Sequence, residues 1–457
     1  MAALSLVVGA CGGGQSAPRG HLPEAPRTAP AASVLRVPRS GGLARLYRIP
    51  GLTESSWKAS DKLPALKRLV GGDLEQRLVF GLDAKNNLIG LDLESRRVRI
   101  FLPQVRQAAI GPDGAVYAVD TSATVTQFVR RTPLRFRPKL AVTPRALYGT
   151  MNGSLIAIPA ADRAEAVTLG PDQAQARANL PAGDARATFL GDMVAIATDS
   201  GVVLYEPQAK RPVRTFEVAK AHAVAFSPSG HRLYVARGKN DIAVLDRFSG
   251  EELSTIKLPG TARELRSDFF GGWLLARPIV GDSVWVIDIG AGRVAGAVPA
   301  RWSNDLPAVA GQRTLLIRAG DDVRALDLST KGFPVSGTVA GGADDEWLPL
   351  AWLPPAEHEA TVAAADSAAA DSATAAGGAS VYLQVSSSQN PSWAQELANK
   401  LKAAGLPASV LRPNKGEEGY RVVLGPYATR EQAEATGKGL GMPSFVITPQ
   451  DQPARAQ

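Results

Sequence analysis

The feature that most constrains this chain is a short motif that recurs about every 39 residues. A copy has two apolar residues followed by an acid or by a substitute for it. The seven copies end at Asp92, Val129, Pro159, Glu206, Asp246, Asp288 and Asp327. Asp92 and Asp327 lie 327 − 92 = 235 positions apart, and six intervals of about 39 residues each suit four short antiparallel strands. The repeat therefore predicts an all-β propeller with seven blades.

The best copy runs from Ala223 to Gly260, AVAFSPSGHRLYVARGKNDIAVLDRFSGEELSTIKLPG. Its strands and its Ser-Pro-Ser-Gly turn resemble a YVTN/WD40-type repeat. Because Val129 and Pro159 match the motif poorly, six or eight blades stay compatible with the pattern. A β-sandwich or two stacked β domains are the alternatives to a propeller, and Leu43 to Ile49 is a candidate for the strand that closes the ring.

The motif acids follow a strand and precede a turn, where a carboxylate commonly accepts hydrogen bonds from backbone amides. No G-x-S-x-G, H-E-x-x-H or P-loop sequence occurs, so nothing nominates a nucleophile. We therefore expect the propeller to be a binding platform and not an enzyme. A propeller enzyme acting on envelope polymers is the alternative, which a cluster of acids or histidines at one channel mouth would favour.

The segment from Ser380 to Thr448 has a different pattern, β-α-β-β-α-β. It opens with Val381-Tyr382-Leu383-Gln384-Val385, in which apolar residues alternate, as on a strand with one buried face. Later, Thr429 is placed to cap a second helix, with Gln432 three residues on, as in a capping box. The order predicts a small α+β domain with helices on one side of a sheet.

The stretches VYLQV and YRVVLGPYATREQA resemble the SPOR domain family. The resemblance implies a βαββαβ fold that binds peptidoglycan, preferably glycan strands stripped of their stem peptides, such as those at the division septum.

Strand alternation predicts which residues occupy the sheet face away from the helices. Apolar positions, including Val422, Leu424, Phe445 and Ile447, are assigned to the helix side. The predicted glycan-binding residues are Gln384, Arg421 and Val446 on the open face, Ser387 at its rim, and Tyr382 and Tyr420 as aromatic groups that could stack on sugars. An amide and a guanidinium suit sugar hydroxyls and acetamido carbonyls, although a merely solvated face is the alternative. Gly419 stands where some family members have an aromatic residue.

The amino terminus carries Val8-Gly9-Ala10-Cys11 after an apolar run, similar to a bacterial lipobox. Cys11 is the only cysteine of the chain and is the predicted lipidation site. Gly12 after the cysteine favours an outer-membrane lipoprotein facing the periplasm. The usual positive segment before the apolar run is missing, and a short buried apolar stretch is the alternative.

Composition excludes several other functions. The net charge is +8, but the basic residues are dispersed, so we expect no nucleic-acid partner. One cysteine and four scattered histidines argue against a metal site, and no cofactor is indicated.

Together these patterns predict an envelope lipoprotein. The expected parts are a signal peptide (1–10), a disordered tether (11–33), the propeller (34–353), an Ala/Ser/Asp-rich linker (354–379), the SPOR domain (380–448) and a tail (449–457). The expected partners are peptidoglycan glycan strands, the membrane through the lipid anchor, and an unknown envelope or divisome protein on the propeller. An outer-membrane assembly scaffold is a further alternative.

Overall fold

The structure is a computed structural model that describes most of the chain from Ser33 to Ile447. The described residues are 33–73, 77–129, 132–133, 139–140, 144–150, 153–160, 165–169, 174–209, 211–268, 271–311, 313–350, 352–354, 381–388, 391–403, 406–412, 420–427, 429–440 and 444–447. The predicted signal peptide, almost all of the tether, most of the linker and the tail lie outside them.

Eight four-stranded antiparallel sheets form the larger part of the described structure. Blade 1 combines β1 (Ser33–Val37), β2 (Arg45–Arg48) and β3 (Thr53–Lys58) with β32 (Glu346–Leu350). Blade 2 contains β4 (Leu66–Asp73), β5 (Leu78–Asp83), β6 (Leu88–Asp92) and β7 (Val98–Leu102); blade 3 contains β8 (Val105–Ile110), β9 (Val116–Asp120), β10 (Val125–Val129) and β11 (Thr132–Pro133); blade 4 contains β12 (Pro144–Gly149), β13 (Leu155–Pro159), β14 (Glu165–Leu169) and β15 (Ala174–Asn179).

The remaining blades follow in chain order. Blade 5 contains β16 (Ala185–Ala187), β17 (Val194–Thr198), β18 (Gly201–Tyr205) and β19 (Val213–Phe216); blade 6 contains β20 (Ala221–Phe226), β21 (Arg232–Arg237), β22 (Asp241–Asp246) and β23 (Glu252–Lys257); blade 7 contains β24 (Ala262–Ser267), β25 (Trp273–Pro278), β26 (Ser283–Asp288) and β27 (Arg293–Pro299); blade 8 contains β28 (Ala308–Ala310), β29 (Thr314–Ala319), β30 (Asp322–Asp327) and β31 (Val335–Val339).

The fold is a β-propeller, as predicted, but the preferred count of seven blades is wrong. Six of the seven motif copies lie at the end of a third strand, in blades 2, 3, 5, 6, 7 and 8, whereas the copy ending at Pro159 ends the second strand of blade 4. Blade 1 lacks the motif, because its third strand, counted outward from the ring axis, ends at Arg48 and not at an acid. The closing strand is also not Leu43 to Ile49: the ring closes where β32 pairs with β1, with Ser33 opposite Leu350.

Apolar clusters between neighbouring blades hold the ring together. Leu35 and Leu46 of blade 1 pack with Val79 of blade 2, for example, and Leu316 of blade 8 packs with Tyr47 of blade 1. Each of the eight blade boundaries has such a cluster. Burial is therefore distributed around the ring, as in other repeat folds where a unit cannot cover its own apolar faces.

The motif acids cap turns, as the sequence indicated. Asp92 Oδ1 accepts hydrogen bonds from the amides of Glu94 and Ser95 at 3.0 and 2.9 Å. Asp246 Oδ1 does the same for Phe248 and Ser249 at 2.8 and 2.9 Å. These carboxylates satisfy turn amides that would otherwise be unpaired.

The carboxy-terminal domain contains β33 (Val381–Ser388), α1 (Pro391–Ala403), β34 (Ala408–Leu411), β35 (Tyr420–Tyr427), α2 (Arg430–Leu440) and β36 (Phe445–Ile447). The sheet order is β34-β35-β33-β36, and all strand pairs are antiparallel. The predicted cap is present, since the amide of Gln432 donates to Thr429 Oγ1 at 3.2 Å. Proline at the first position of α1 suits a helix start, where no amide donor is needed.

Candidate functional site

The two faces of the carboxy-terminal sheet differ in what they pack against. Leu383 lies opposite Leu424 and Val446, and residues directly opposite each other share a face. These three side chains belong to, or pack against, the cluster that includes Ala398 and Leu397 of α1. They form the helix side of the sheet.

The other face carries the second cluster, Tyr382, Leu411, Val423 and Ile447. Gln384 lies opposite Val423, and Arg421 lies opposite Leu411. Gln384, Arg421 and Tyr382 are therefore on the face away from the helices, where the sequence placed them.

A β-bulge brings Ser387 to the same face. The register of β33 against β35 shifts between Gln384 and Ser386, so Val385 is the extra residue and packs on the helix side. After the bulge, Ser387 lies directly opposite Arg421. Simple alternation from Gln384 would have put Ser386 there instead, because a bulge reverses the facing of every later residue.

Two of the predicted glycan-binding residues, Val446 and Tyr420, lie on the helix side of the sheet and not on its open face. Val446 lies opposite Leu383 and packs against the helix-side cluster, while Ile447 lies opposite Tyr382 on the open face. In the short strand Phe445–Ile447 every residue is apolar, so alternation alone could not orient it. Tyr420 also packs against the helix-side cluster. Ile447 is the open-face residue that the sequence reasoning missed.

The polar groups of this face are buried. The exposed fractions of Gln384 and Ser387 are both 1%, and that of Arg421 is 8%. Gln384 Nε2 and Ser387 Oγ have no hydrogen-bond partner within the described structure. Buried polar atoms are nearly always satisfied in folded proteins, so two such atoms on one sheet face mark it as a candidate binding surface.

Residues 377–448 match the family model described as the SPOR domain. The carboxy-terminal domain is a SPOR domain. SPOR domains bind peptidoglycan, so this part of the chain is a peptidoglycan-binding module. The match agrees with the β-α-β-β-α-β order and with the open sheet face described above.

The propeller was compared with solved structures. The structure of apo AztD from Citrobacter koseri is 13% identical, with a TM-score of 0.50, and the likeness covers 70% of this chain and 98% of that chain. Dihydro-heme d1 dehydrogenase NirN in complex with DHE is 16% identical, with a TM-score of 0.47, over 72% of this chain and 80% of that chain. At such identity the likeness to AztD shows a shared propeller fold. A search among curated proteins found no matching sequence.

The SPOR domain contacts the propeller near the boundary of blades 5 and 6. Leu190, in the turn after β16, belongs to the same apolar cluster as Leu383 and Leu424 of the SPOR domain. The pKa of His231, in the turn after β20, is lowered by burial and also by positive charge that includes Arg421. Arg421 therefore lies close enough to His231 for the two charges to interact.

The propeller has a cavity on its axis, and two arginines of its lining pair with the same carboxylate. The inner strands of blades 5, 6 and 7 line a cavity of about 340 Å³ that includes Arg186, Phe226 and Arg266. Glu264 accepts a hydrogen bond from Arg266 Nη2 at 2.7 Å and lies 3.6 Å from Arg186. Its carboxylate thus links the inner strands of blades 5 and 7.

Within the described ranges, no group of three or more His, Cys, Asp or Glu side chains is placed to hold a metal ion. None of the helices in the described part of the chain is long and apolar enough to cross a membrane. The predicted lipidation site, Cys11, lies outside the described residues.

Proposed function

We propose that this chain is a cell-envelope lipoprotein that grips peptidoglycan through the open face of its SPOR domain and presents the propeller as a protein-interaction scaffold. The observation that carries the proposal is the SPOR match over residues 377–448, together with an open sheet face on which Gln384, Ser387 and Arg421 are neighbours. Denuded glycan strands at the division septum are the proposed target.

The chemistry of the face suits a neutral, hydroxyl-rich polymer. Gln384 can donate and accept hydrogen bonds, Ser387 adds a hydroxyl, and the Arg421 guanidinium donates to acetamido or hydroxyl oxygens. Tyr382 and Ile447 supply the apolar surface against which sugar rings pack. Because this face has one charged side chain and several neutral groups, it can bind the glycan without contacting the stem peptides.

Binding requires the SPOR domain to leave the propeller. The residues between the last propeller strand and β33 include AAADSAAADSATAAGGA, a composition typical of flexible spacers. These residues lie outside the described ranges; a spacer of this composition would let the domain alternate between a closed arrangement, in which Arg421 lies near His231, and an open one that reaches the wall.

The lipoprotein proposal rests on the lipobox-like Val8 to Cys11. Acyl chains on Cys11 would hold the protein on the outer membrane, facing the periplasm, since two or more chains give stable anchoring where one does not. The scaffold role of the propeller is supported by its motif acids, which cap turns, and by its ion-paired cavity.

A co-sedimentation assay tests the central proposal. The full chain carrying Cys11→Ser, which removes the acylation site and keeps the protein in solution, is incubated with intact sacculi and with amidase-treated sacculi. We expect more protein in the pellet with amidase-treated sacculi. Equal pelleting with both, or none, would refute recognition of stripped glycans.

A further inference from the structure

The charge of the propeller is distributed unevenly around the ring. Residues 33–179, which span blades 1 to 4 apart from the closing strand β32, contain 22 Lys and Arg against 12 Asp and Glu. Residues 180–353, which span blades 5 to 8 and β32, contain 19 Lys and Arg against 20 Asp and Glu. The basic residues are dispersed along the chain, but their excess over the acids lies in one half of the ring.

Four exposed cations and one exposed apolar side chain occupy the outer edge of blades 1 and 2. The first cation follows the last strand of blade 1, and the others lie in or just before β7, the outermost strand of blade 2. They are Lys62, Arg96, Arg97, Arg99 and the apolar Ile100, called here the rim patch. The amide of Ser60 donates to the carbonyl of Arg96 at 2.8 Å, so the two segments are adjacent.

The acids at this edge are engaged by other groups. Asp61 Oδ2 accepts a hydrogen bond from a backbone amide of β7 at 3.0 Å. Glu94 pairs with Arg77, and Glu54 pairs with Arg45 at 2.9 Å. In the described part of the chain, none of the four cations of the rim patch has a carboxylate at ion-pair distance. The outer edge of blades 1 and 2 is therefore a positively charged surface.

The apolar member of the rim patch is unusually accessible. Ile100 is 63% exposed, although it pairs with the buried Ile89 on the same sheet. An exposed isoleucine between cations offers nothing to a polyanionic polymer in water. It suits the headgroup region of a lipid bilayer, where apolar groups are buried and cations remain beside the lipid phosphates.

The chain enters the propeller in the same blade. Ser33, the first residue of β1, belongs to blade 1, and the proposed lipid anchor Cys11 precedes it by 33 − 11 = 22 residues. A flexible chain of that length has an average end-to-end distance of roughly 25 Å. Acylation of Cys11 would therefore keep blade 1 and the rim patch near the membrane.

The SPOR domain contacts the other side of the ring. Leu190 and His231, which contact or face it, lie at the boundary of blades 5 and 6. In a ring of eight blades, blade 6 lies four blades from blade 2 and so directly opposite it. With the rim patch against a membrane, the propeller would present the SPOR domain on the side that faces away from the lipid.

We propose that the rim patch is a membrane-binding surface that holds the propeller edge-on against an anionic phospholipid leaflet. Its cations are attracted to the lipid phosphates, and Ile100 enters the headgroup region. This inference rests on the anchor proposed at Cys11 and adds an orientation to it. A lipid chain and a basic surface together bind a membrane more stably than either does alone.

The test is flotation of the full chain carrying Cys11→Ser with two kinds of vesicle, phosphatidylcholine alone and phosphatidylcholine mixed with phosphatidylglycerol. Residues 1–10 are common to all variants. The rim variant combines Lys62→Glu, Arg97→Glu and Arg99→Glu. Its matched control combines Arg211→Glu, Arg293→Glu and Lys331→Glu, exposed residues in or beside the turns before the outermost strands of blades 5, 7 and 8, with the same total change of charge. A further variant is Ile100→Ser, and thermal melts show that each variant is folded.

We expect the parent to bind the mixed vesicles at least about tenfold more tightly than the neutral ones, and added salt to reduce the difference. The rim variant should bind the mixed vesicles at least about tenfold more weakly than the parent, since each Lys or Arg near an anionic surface contributes to binding. The control variant should bind much like the parent. Ile100→Ser should weaken binding about threefold.

Equal losses in the rim and control variants would show a general charge effect and overturn the proposal. Equal binding of the parent to both kinds of vesicle would overturn it too, as would binding to heparin without binding to the mixed vesicles. Palmitate labelling of the native chain tests the anchor by itself, and co-sedimentation of the rim variant with amidase-treated sacculi should match that of the parent. Failure of the rim patch, of the anchor and of wall binding are therefore separately visible.

Discussion

Asp192 and Arg247 form a buried ion pair across the boundary of blades 5 and 6. Asp192 Oδ2 accepts from Arg247 Nη2 at 2.9 Å, with side-chain exposures of 5% and 0%. The guanidinium also lies 4.7 Å from the ring centroid of Phe248. Because Leu190 and His231 belong to the turns beside this pair, it fixes the part of the propeller that the SPOR domain contacts.

Removing one partner of this pair should destabilise the propeller strongly. Asp192→Ala removes the carboxylate that accepts a hydrogen bond from the buried Arg247 guanidinium and leaves Glu206 to balance its charge; breaking a buried pair costs up to about 3–5 kcal/mol. Asp344→Ala is the matched control, since Asp344 also pairs with an arginine, Arg301, at 2.9 Å but is 88% exposed; such surface pairs contribute about 1 kcal/mol or less. Urea denaturation of both variants gives the comparison, and equal losses of stability would contradict a special role for the buried pair.

Much of the fold could be predicted from the sequence because the repeat is local. An acid such as Asp246 caps its own turn, so the motif records blade geometry directly. Blade 1 could not be counted this way, because two distant chain segments form it and Arg48 replaces the acid. Closure of the ring is a long-range pairing that no local motif encodes.

On the sheet of the SPOR domain, too, the sequence predicted the position of some residues and could not predict that of others. Gln384 and Arg421 follow alternation and the family pattern, so the sequence placed them correctly. Val446 was misplaced because its strand is apolar throughout, and only its pairing with Leu383 orients it. The contact between the helix-side cluster and Leu190 of the propeller is one that strand alternation cannot reveal.

Weakening the interdomain contact should increase wall binding. Leu190 is 6% exposed and packs with SPOR residues, so Leu190→Asp removes about 2 kcal/mol of apolar burial from the closed arrangement. If closure limits binding, affinity for amidase-treated sacculi should rise, by about thirtyfold at most.

Val213→Asp is the control for this change, since Val213 lies on the outer strand of the same blade and is 38% exposed. It should leave wall binding unaltered. An unchanged affinity in a folded Leu190→Asp protein would show that the closed arrangement does not compete with glycan.

Acidification should destabilise the closed arrangement through His231. Burial lowers the pKa of His231 below its ordinary value of 6.5, and the positive charges of Arg421, Arg247 and Arg232 lower it further, whereas Asp246 acts in the opposite direction. The unfolded or separated state therefore binds the proton more readily. The stabilisation that neutral His231 gives to the closed arrangement is present above about pH 6.5 and is lost as the pH falls below that value.

The measurement is the change in melting temperature between about pH 7.5 and pH 5.5. It should be larger for the parent chain than for His231→Gln, which cannot gain the proton. His222→Gln is the control, because that histidine lies in blade 6 at the other end of its inner strand. Identical pH profiles for the parent and His231→Gln would contradict the assignment.

The open face itself is tested by the double change Gln384→Ala and Arg421→Ala. A lost hydrogen bond to a neutral sugar costs about 0.5–1.5 kcal/mol, and up to about 3 kcal/mol where the donor is charged. At tenfold per 1.4 kcal/mol, binding to amidase-treated sacculi should weaken by roughly ten- to a thousandfold.

Two comparisons separate this result from loss of folding. Gln395→Ala with Arg430→Ala removes the same two residue types from α1 and α2, where Gln395 is exposed and donates to Asn399 of its own helix, and Arg430 is 72% exposed; this variant should bind like the parent. Val422→Ala, on the helix side and 1% exposed, should lower the unfolding free energy by about 2 kcal/mol. The parent, the double variant and both comparison variants are sedimented at a temperature where all four are folded.

Because Gln384 and Arg421 meet the glycan only in the open arrangement, the double change should also abolish the gain produced by Leu190→Asp. Full binding by the folded double variant would place the glycan site elsewhere on the SPOR domain.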